Sequence, residues 1–495
     1  LNNYKMEKYI LSIDAGTSSS RALIIDKKGN IKGISQFEFP QIFPKEGWVE
    51  HNPNEIWETQ LKAIKEVLKK TKISPEMIHS LGIANQRETT VIWNKQTGEP
   101  VYNAIVWQDR RTADICDDLK KQNLETLFQN KTGLLLDPYF SGTKIKWIFD
   151  NDPSLLELAE NKQLAFGTID SWLIWKLTSG KEHVTDVTNA SRTLIFNIKE
   201  LKWDQELIDL FGIPNNILPK VVSCSEYIGK IAKDILGFEI SITGIAGDQQ
   251  ASLFGQMCLE EGDIKNTYGT GCFCMMNTGE KIVKSKNKLL STIAYQLDNK
   301  TYYAIEGSIF TGGSLIQWMR DQLSIISNPS EIESLASSVK DNGGVTFIPA
   351  LTGLGAPYWN PKATGSIMGI TIGTKKGHIA RAALEAIAIR TYEIILNMQK
   401  DANTKFTNLK VDGGASNNNL LMQIQSNLIE AKVIRPVITE TTAIGAAFLA
   451  GLGSGYWESV EDLKNIWKHD KEFSPDSSDK KNILSKWNER INILY

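Results

Sequence analysis

YILSIDAGTSSSRALIID, residues 9–26, reads as an apolar strand that stops at a Gly-Thr turn and continues as a second apolar strand. The same pattern returns in the second half of the chain as IKNTYGTGCFCMM, residues 264–276. In such a turn, glycine lets successive backbone N–H groups point into one concavity, and small hydroxyls donate to the same anion. A single Gly-Thr turn is most often only a turn. Two of them, each opening one half of the chain, predict a duplicated fold that holds one nucleotide between its halves.

Length and composition indicate a large globular chain. The 495 residues are 41% hydrophobic, which is enough for two domains that each bury a core. The formal net charge is −2, from 55 basic and 57 acidic residues. Because there is no net field and no long basic run, we do not expect the chain to bind nucleic acid or an anionic membrane surface.

Cysteine usage and the N-terminal segment predict a cytoplasmic protein. Five cysteines are too few and too scattered to cross-link this chain, and Cys272 and Cys274 lie in an apolar run without the spacing of metal ligands. Residues 1–8 contain no apolar signal core, and no apolar stretch approaches the ~20 residues that cross a bilayer. We therefore expect a reduced environment and no integral membrane segment.

Strand and helix patterns alternate along both halves, which is typical of an α/β fold. Residues 52–68 combine a cap, a first-turn proline and apolar residues at helical spacing, and they predict an amphipathic helix. Further strands are expected at 264–276, 302–305 and 409–411, and further helices at about 311–323 and 378–399 and from near 417 and 443.

Small residues mark the expected boundary between an N-terminal domain, 1–253, and a C-terminal domain, 254–495. They are concentrated in GIAGDQQASLFG, residues 244–255, and in TAIGAAFLAG, residues 442–451. Because small residues let two helices approach and slide, the pair is interpreted as a hinge, and a tight helix contact without motion is the alternative. From about residue 471 the chain is expected to form a polar loop and a final helix without a chemical role.

A third glycine-rich turn lies in LKVDGGASNN, residues 409–418. It predicts a strand that ends in a double-glycine turn before a helix, where a base or a phosphate can approach closely. An ordinary strand-to-helix connection is the alternative. The sequence contains no Gly-Lys-Ser/Thr phosphate loop, no His-Glu-x-x-His zinc helix and no Gly-x-Ser-x-Gly elbow. Phosphate binding is therefore assigned to the two hairpins.

The order of these segments resembles a known superfamily of ATPases that includes actin, hexokinase and the heat-shock chaperones, and the matching residues are 14–19, 247–248, 268–271, 412–414 and 443–446. Two signatures resemble those of the FGGY family of carbohydrate kinases, namely YFSGTKIKW at 139–147, and GSIMGI at 365–370 with HIARAALE at 378–385. Four segments are similar to the members that phosphorylate glycerol: NQRETT at 85–90, IVWQ at 105–108, DPYF at 137–140 and GDQQ at 247–250. The likeness extends from about residue 8 to residue 457.

The resemblance implies both a fold and a reaction. The fold is two duplicated ribonuclease-H-like domains of the actin-like ATPase type, with the active site in the cleft between them. The reaction is transfer of the γ-phosphoryl group of MgATP to a terminal hydroxyl of glycerol, which gives sn-glycerol 3-phosphate and ADP. Because an alcohol is too weak an acid to attack unaided, Asp248 is expected to take its proton as general base. A homodimer or homotetramer is usual for the family.

The residues expected at the polyol have complementary chemistry. Arg87 and Glu88 offer donors and an acceptor for adjacent hydroxyls, and Trp107 with Phe273 offers a wall for the carbon chain. Taken singly, an Arg-Glu pair is usually a surface ion pair, and a tryptophan at a strand end usually belongs to the core. The full set expected to bind the substrate is Arg87, Glu88, Trp107, Tyr139, Asp248, Gln249 and Phe273.

The resemblance also implies the residues that bind ATP and Mg²⁺. Asp14 ends the first strand, where a carboxylate can hold Mg²⁺ through water, and Asp248 is the second expected metal residue. The residues expected at the nucleotide are Thr17, Ser18, Ser19, Arg21, Thr270, Gly313, Gln317, Gly414 and Asn418.

Four positions depart from the family pattern. Ala15 stands where the family usually has glutamine before Gly-Thr, which puts one supporting hydrogen bond in doubt but leaves the backbone of the turn intact. Lys410 replaces an arginine before Val-Asp-Gly-Gly, and Asn360 and Thr364 soften a charged pair beside Trp359. None of these changes removes a group that the chemistry needs.

Two other functions stay open at this point. One is an FGGY kinase for a larger substrate such as a pentulose or gluconate, which needs a roomier pocket than Trp107 and Phe273 leave. The other is an actin-like or chaperone-like ATPase, which has no need of Arg87, Glu88 and Asp248.

The segment 226–243 bears on regulation. Some bacterial relatives are inhibited by fructose 1,6-bisphosphate through an arginine in this loop, and others are activated by phosphorylation of a histidine in the same region. Here Glu239 stands at the arginine position and the segment has no histidine, although Lys230 and Lys233 offer a weak anion site. We expect an enzyme that responds to neither control.

Overall fold

The computed structural model describes residues 7–360, 362–476 and 480–494, so residues 1–6 of the N-terminal segment and 477–479 of the expected polar tail lie outside the described residues. The strands are β1 (Tyr9–Ala15), β2 (Ser19–Ile25), β3 (Ile31–Glu38), β4 (Glu50–His51), β5 (Ile78–Asn85), β6 (Val91–Asn94), β7 (Ala104–Ile105), β8 (Leu164–Gly167), β9 (Val184–Asp186), β10 (Phe196–Asn197), β11 (Lys202–Trp203), β12 (Lys220–Val222), β13 (Gly229–Ile231), β14 (Ile240–Gly247), β15 (Ile264–Tyr268), β16 (Cys272–Gly279), β17 (Leu290–Leu297), β18 (Lys300–Ile309), β19 (Thr346–Ile348), β20 (Ser366–Met368), β21 (Asn408–Asp412), β22 (Lys432–Pro436) and β23 (His469–Phe473).

The α-helices are α1 (Pro53–Thr71), α2 (Ala113–Lys121), α3 (Glu125–Thr132), α4 (Ser141–Asn151), α5 (Ser154–Glu160), α6 (Ile169–Leu177), α7 (Val187–Ala190), α8 (Gln205–Phe211), α9 (Lys233–Leu236), α10 (Asp248–Gly255), α11 (Gly313–Asp321), α12 (Glu331–Ser337), α13 (Lys376–Ala402), α14 (Asn419–Ile429), α15 (Thr441–Gly453), α16 (Val460–Ile466) and α17 (Lys480–Leu494). Short 3₁₀ turns occupy Pro75–Met77, Asn215–Ile217 and Gly414–Asn417.

Two large sheets repeat one plan, which confirms the duplicated α/β fold that the hairpins predict. The first sheet has the order β13-β14-β5-β1-β2-β3, and the second has the order β17-β18-β16-β15-β21-β22-β23. In the first, β1, β2 and β3 are antiparallel neighbours, and β5 and β14 continue the sheet in parallel with β1. In the second, β15, β16 and β18 are the antiparallel neighbours, and β21 and β22 continue in parallel.

The two predicted hairpins open these sheets at equivalent places. In β1–β2, Asp14 lies opposite Arg21, and in β15–β16, Tyr268 lies opposite Cys272. Each turn therefore lies at the edge where the parallel strands beside it end. Loops at that edge are where open α/β sheets place their ligands.

Helix α1 forms as its sequence predicts. The side chain of Asn52 accepts a hydrogen bond from the backbone N–H of Asn54, Pro53 occupies the first turn, and Lys72 ends the helix in a left-handed conformation. Its buried face consists of Pro53, Ile56, Gln60, Ala63, Ile64, Val67 and Leu68.

The two segments of small residues meet, as helices α10 and α15. A Cβ added at Gly445 of α15 would lie 1.8 Å from the carbonyl oxygen of Ala251 in α10, and one at Gly255 would lie 2.2 Å from the carbonyl oxygen of Thr441. Helix α15 also lies against the first sheet, because a Cβ at Gly82 would be 2.1 Å from the carbonyl oxygen of Ala446. The predicted close contact is confirmed, and the hinge motion stays a prediction.

The sequence-based picture of the C-terminal part needs correction. The segment around residue 471 is not a loop: it forms β23, which pairs with β22 because an edge strand completes the second sheet. Trp487 of α17 is 1% exposed, so the final helix covers the core of the second half. The domain boundary after residue 253 stays a prediction; helix α10 spans it, and the loop 256–263 connects the first sheet to the second.

In the parts of the chain that the structure describes, no helix combines the length and the apolar character needed to cross a bilayer.

Candidate active site

The first hairpin supplies a compact turn closed by a hydrogen bond from Gly16 N to Ser19 O at 2.9 Å. Ser18 is exposed at its tip, whereas Ser19 is buried and its hydroxyl accepts a hydrogen bond from Gln36 at 2.9 Å. Arg21 is held by Glu440, with 2.6 Å between Nη1 and Oε2. Two of the residues expected at the phosphates, Ser19 and Arg21, are therefore engaged by other side chains.

Backbone and side-chain groups from elsewhere in the first half support the turn that follows Ala15. Gln86 donates its backbone N–H to Ala15 O at 2.8 Å and its side-chain amide to Gly16 O at 3.0 Å. Gln41 donates its side-chain amide to Thr17 O at 3.1 Å, and its side-chain oxygen accepts from Nε2 of His51 at 2.7 Å. The turn is therefore supported by residues from other parts of the first half.

The second hairpin is closed by Gly269 N donating to Gly271 O at 2.9 Å. The start of α11 lies on it, because Gly313 N donates to Gly269 O at 2.8 Å. The double-glycine turn lies on it from another side: Gly413 has φ +83°, and a Cβ there would be 2.6 Å from Tyr268 O. Because glycine adopts this conformation without strain and has no Cβ, the backbones of the two turns can approach this closely. Thr270 remains exposed at the tip.

Three of the residues predicted to bind the nucleotide lie around this hairpin and are exposed or have a polar group without a partner. Gly414 is exposed, and a Cβ added there would meet no atom within 4 Å. Gln317 is exposed on α11, one turn after Gly313. Asn418 caps α14 through its side-chain oxygen, and its buried amide nitrogen, Nδ2, has no hydrogen-bond partner among the described residues. An unpaired buried donor at this place fits a nucleotide acceptor.

Asp248 is the first residue of α10, directly after β14. Its Oδ1 accepts from the backbone N–H of Gln249 at 2.7 Å and lies 3.1 Å from Nε of Arg87. The side chain is 27% exposed. Burial raises the pKa of Asp248, and the nearby cations Arg87 and Lys265 oppose that effect. The result is a held, accessible carboxylate that is more basic than an ordinary aspartate.

Arg87 and Glu88 are not a surface ion pair, since they are 3% and 1% exposed. They follow β5, and Glu88 has the uncommon φ of +61°, a strained conformation of the kind found at functional sites. Arg87 bonds to Glu306 through Nη1 at 2.5 Å and Nη2 at 3.1 Å. Glu88 Oε1 accepts from Nε of Arg192 at 2.6 Å, which leaves its second oxygen outside that bond.

The sequence did not point to Arg192 and Glu306, which complete this network. Both are 0% exposed. Burial would raise the pKa of Glu306, but the guanidinium groups of Arg192 and Arg87 lower it to about 2, so the carboxylate is ionised. Burial raises the pKa of Glu88 despite the same two arginines.

Aromatic rings form one wall beside these charges. The ring of Trp107 lies 5.6 Å from that of Tyr139 and 6.1 Å from that of Phe273, centre to centre, and both contacts are edge-on. Phe273 belongs to the second half, so the wall joins the two halves. The indole N–H of Trp107 donates to the hydroxyl of Thr17 at 2.9 Å, which connects the wall to the first hairpin. Burial raises the pKa of Tyr139, so its phenol remains a donor.

The side chain of Gln249 lies deeper, with its oxygen 2.6 Å from Nζ of the buried Lys265. Burial lowers the pKa of Lys265, and the carboxylates of Asp412 and Asp248 oppose that effect.

The acidic groups present fit Mg²⁺ held mainly through water and phosphate. Burial raises the pKa of Asp14 to about 7; Arg21 opposes the rise, and the negative charges of Asp248 and Glu440 add to it. Asp14 lies near the end of β1 and Asp248 directly follows β14, and these two parallel strands end at the same edge of the first sheet on either side of β5. Among residues 7–360, 362–476 and 480–494, no cluster of three acidic, histidine or cysteine side chains is arranged to enclose a metal. One or two carboxylates are what Mg²⁺ uses at nucleotide sites.

Comparison with known proteins agrees with this geometry. Residues 9–255 match the N-terminal domain of the FGGY family of carbohydrate kinases, and residues 264–454 match its C-terminal domain.

Three relatives cover almost the whole chain. "Glycerol kinase" of Clostridium perfringens is 56% identical and "Glycerol kinase 2" of Thermotoga maritima is 54% identical, each over 98% of both chains. The crystal structure of Plasmodium falciparum glycerol kinase with ADP superposes with a TM-score of 0.91 at 37% identity, and covers 99% of this chain and 98% of that one.

Proposed function

Because the chain belongs to the FGGY family of carbohydrate kinases, with both family domains in a duplicated actin-like ATPase fold, we infer that it phosphorylates glycerol with ATP and forms sn-glycerol 3-phosphate and ADP. The observation that carries this conclusion is the identity of 54 to 56% with glycerol kinases over nearly the full length. The geometry agrees, because the Asp248 carboxylate contacts the buried Arg87, and an aromatic wall lies beside the same charge network.

We propose that Asp248 is the general base. Its carboxylate takes the proton of the terminal hydroxyl while that oxygen bonds to the γ-phosphorus and the bond from the γ-phosphorus to the ADP oxygen breaks. The hydrogen bond from Gln249 N and the contact with Arg87 fix the carboxylate for this step.

The polyol is proposed to lie between the charge network and the rings. Arg87 and the free oxygen of Glu88 orient two hydroxyls, Tyr139 donates to a third group, and Trp107 with Phe273 covers the carbons. Gln249, bonded to Lys265, is the remaining proposed contact.

The nucleotide is proposed to lie between the two hairpins. Thr17, Ser18 and Thr270 face the phosphates, joined by Ser19 and Arg21 once Gln36 and Glu440 release them. Gly313, Gln317, Gly414 and Asn418 receive the rest of the nucleotide. Asp14 and Asp248 would hold Mg²⁺, which when bound neutralises charge on the phosphates.

We further propose a cytoplasmic enzyme that assembles as a homodimer or homotetramer. All five cysteines are free and buried, as expected where disulfides do not form, and the substrate ATP is an intracellular metabolite.

The decisive test is coupled detection of ADP with and without glycerol. A large glycerol-dependent rate supports the proposal. ADP release at a basal rate that glycerol leaves unchanged would point to an ATPase, and a higher rate with a pentulose or gluconate would point to another sugar kinase.

Trp107→Ala should raise the KM for glycerol by about tenfold or more, because it removes an apolar wall, and should change the KM for ATP less. The bond from Trp107 to Thr17 also ties this ring to the phosphate hairpin, so Trp107→Phe is the matched control. Phenylalanine keeps the wall and loses the N–H donor, and its KM for glycerol should stay close to that of the wild type. Equal changes in both KM values for Trp107→Ala would mean that the ring is structural.

Fructose 1,6-bisphosphate should not inhibit the enzyme at millimolar concentration and physiological salt. In the segment 226–243, Glu239 lies at the edge of β14 and pairs with Lys230, with 2.8 Å between Nζ and Oε2. This pair occupies one of the two lysines that could attract the bisphosphate and places a negative charge beside it. Inhibition of the wild-type enzyme under these conditions that mutation of Lys230 abolishes would contradict the prediction.

A further inference from the structure

A buried ion network joins the two halves of the chain, and Glu306 is the member that comes from the second half. Glu306 lies within β18, opposite Met275 of β16 and Leu290 of β17. A strand paired on both sides has little freedom to move. The position of this carboxylate is therefore set by the second sheet.

Glu306 accepts hydrogen bonds from two arginines of the first half. Its Oε2 is 2.5 Å from Nη1 of Arg87, and its Oε1 is 3.1 Å from Nη2 of Arg87 and 3.1 Å from Nη2 of Arg192. Arg87 continues to Asp248, and Arg192 continues to Glu88. Both acidic groups assigned to glycerol are thus bonded to guanidinium groups that Glu306 holds.

The same strand leads directly to the nucleotide side. Six residues after Glu306, Gly312 N donates to Thr270 O at 2.8 Å, and Gly313 N donates to Gly269 O at 2.8 Å. The second hairpin, the start of α11 and Glu306 therefore belong to one hydrogen-bonded unit. A shift of this unit relative to the first half therefore moves the hairpin and the carboxylate together.

We propose that Glu306 is a positioning residue that couples occupancy of the nucleotide site to the geometry of Arg87 and Glu88 in the glycerol site. This inference rests on the proposed function, since it concerns the same two substrates. Coupling of this kind is reciprocal: nucleotide orders the arginines for glycerol, and glycerol, by binding them, favours the arrangement of the second half that binds nucleotide. Neither ligand needs to touch Glu306.

The test is Glu306→Gln, which keeps the shape of the side chain and removes its charge. We expect glycerol to tighten binding of a non-hydrolysable ATP analogue with Mg²⁺ by about fivefold or more in the wild type, and by less than about twofold in the variant, as measured by calorimetry. The KM for glycerol should rise by about tenfold while the KM for ATP changes little. A general loss of structure would instead weaken analogue binding with and without glycerol.

Two further variants make the result decisive. Glu385→Gln removes another buried carboxylate, one that bonds to Asn342 and Arg381 in the second half, and should keep the wild-type coupling. If Glu306→Gln does not fold, Glu306→Asp keeps the charge but is too short to hold both arginines, and its coupling should fall by about threefold.

Wild-type coupling in Glu306→Gln, or in Glu306→Asp where that variant replaces it, would overturn the proposal, as would a wild type whose analogue binding ignores glycerol. Glycerol-dependent ADP release by the wild type, measured on the same preparation, tests the proposed function separately. An enzyme that turns over glycerol without coupling would refute the role of Glu306 alone.

Discussion

Asp248→Asn should retain the fold and nucleotide binding but lose about 10²- to 10⁴-fold in kcat. The amide has the shape of the carboxylate, and its oxygen can still accept from Gln249 N and Arg87 Nε, so the local contacts survive. It cannot take the proton of the attacking hydroxyl. The loss should therefore fall on the chemical step.

The pH dependence gives a second readout for the same variant. Burial raises the pKa of Asp248, and the group must be deprotonated to act, so kcat/KM of the wild type should fall as the pH falls through that pKa. The variant should lose this acidic limb. Asp204→Asn is the matched control, because Asp204 caps α8 and bonds to Lys131 and Asn197, outside the site. A kcat for Asp248→Asn within a few-fold of the wild type would refute the assigned role.

The large features of the fold could be predicted because they have local signals. Each hairpin combines two apolar strands with a glycine turn, and α1 has a cap, a proline and a helical period. The pairing of β23 with β22 has no such signal, since His469–Phe473 is mostly charged and exposed. The same holds for two-residue strands such as β4 and β7, which exist because distant chain segments meet.

The site was predictable as a set of residue types and not as a set of contacts. The structure brings Arg87 to Asp248 and Trp107 to Phe273, but their roles still await the experiments above. Glu306 had a weak signal that was missed: it is a single charge in the apolar run 302–310, and a buried charge requires a partner. Arg192 had no local signal.

The hydrogen bonds that support the first hairpin come from residues that are distant in the chain, and local sequence patterns do not predict such bonds. Ala15 puts one supporting bond in doubt, and the sequence does not indicate that Gln41 and Gln86 donate to the turn from elsewhere in the first half. A hydrogen bond between residues far apart in the chain depends on the completed sheet. It cannot be inferred from either residue alone.

The contact between α10 and α15 leads to the second large prediction. Gly445→Ala should destabilise the protein by about 3 kcal/mol, because overpacking at a well-packed contact is strongly unfavourable. The new Cβ would lie 1.8 Å from the carbonyl oxygen of Ala251 and 3.0 Å from the backbone nitrogen of Gly255. These are backbone atoms of a helix, so no side chain can rotate to make room, and the two helices must separate.

Separation of these helices should also lower the rate of the reaction. Asp248 begins α10, so a shift of this helix moves the proposed base, and a displacement of about 1 Å from productive geometry can reduce a rate by about 10²-fold. We expect urea unfolding to show the lost stability and the glycerol-dependent rate to fall with it. Gly373→Ala is the matched control, since its Cβ would meet nothing closer than Thr371 Oγ1 at 3.9 Å. If both variants unfold at the same urea concentration, the small residues at this contact are not required for close packing, and the interpretation of the segment as a hinge loses its structural basis.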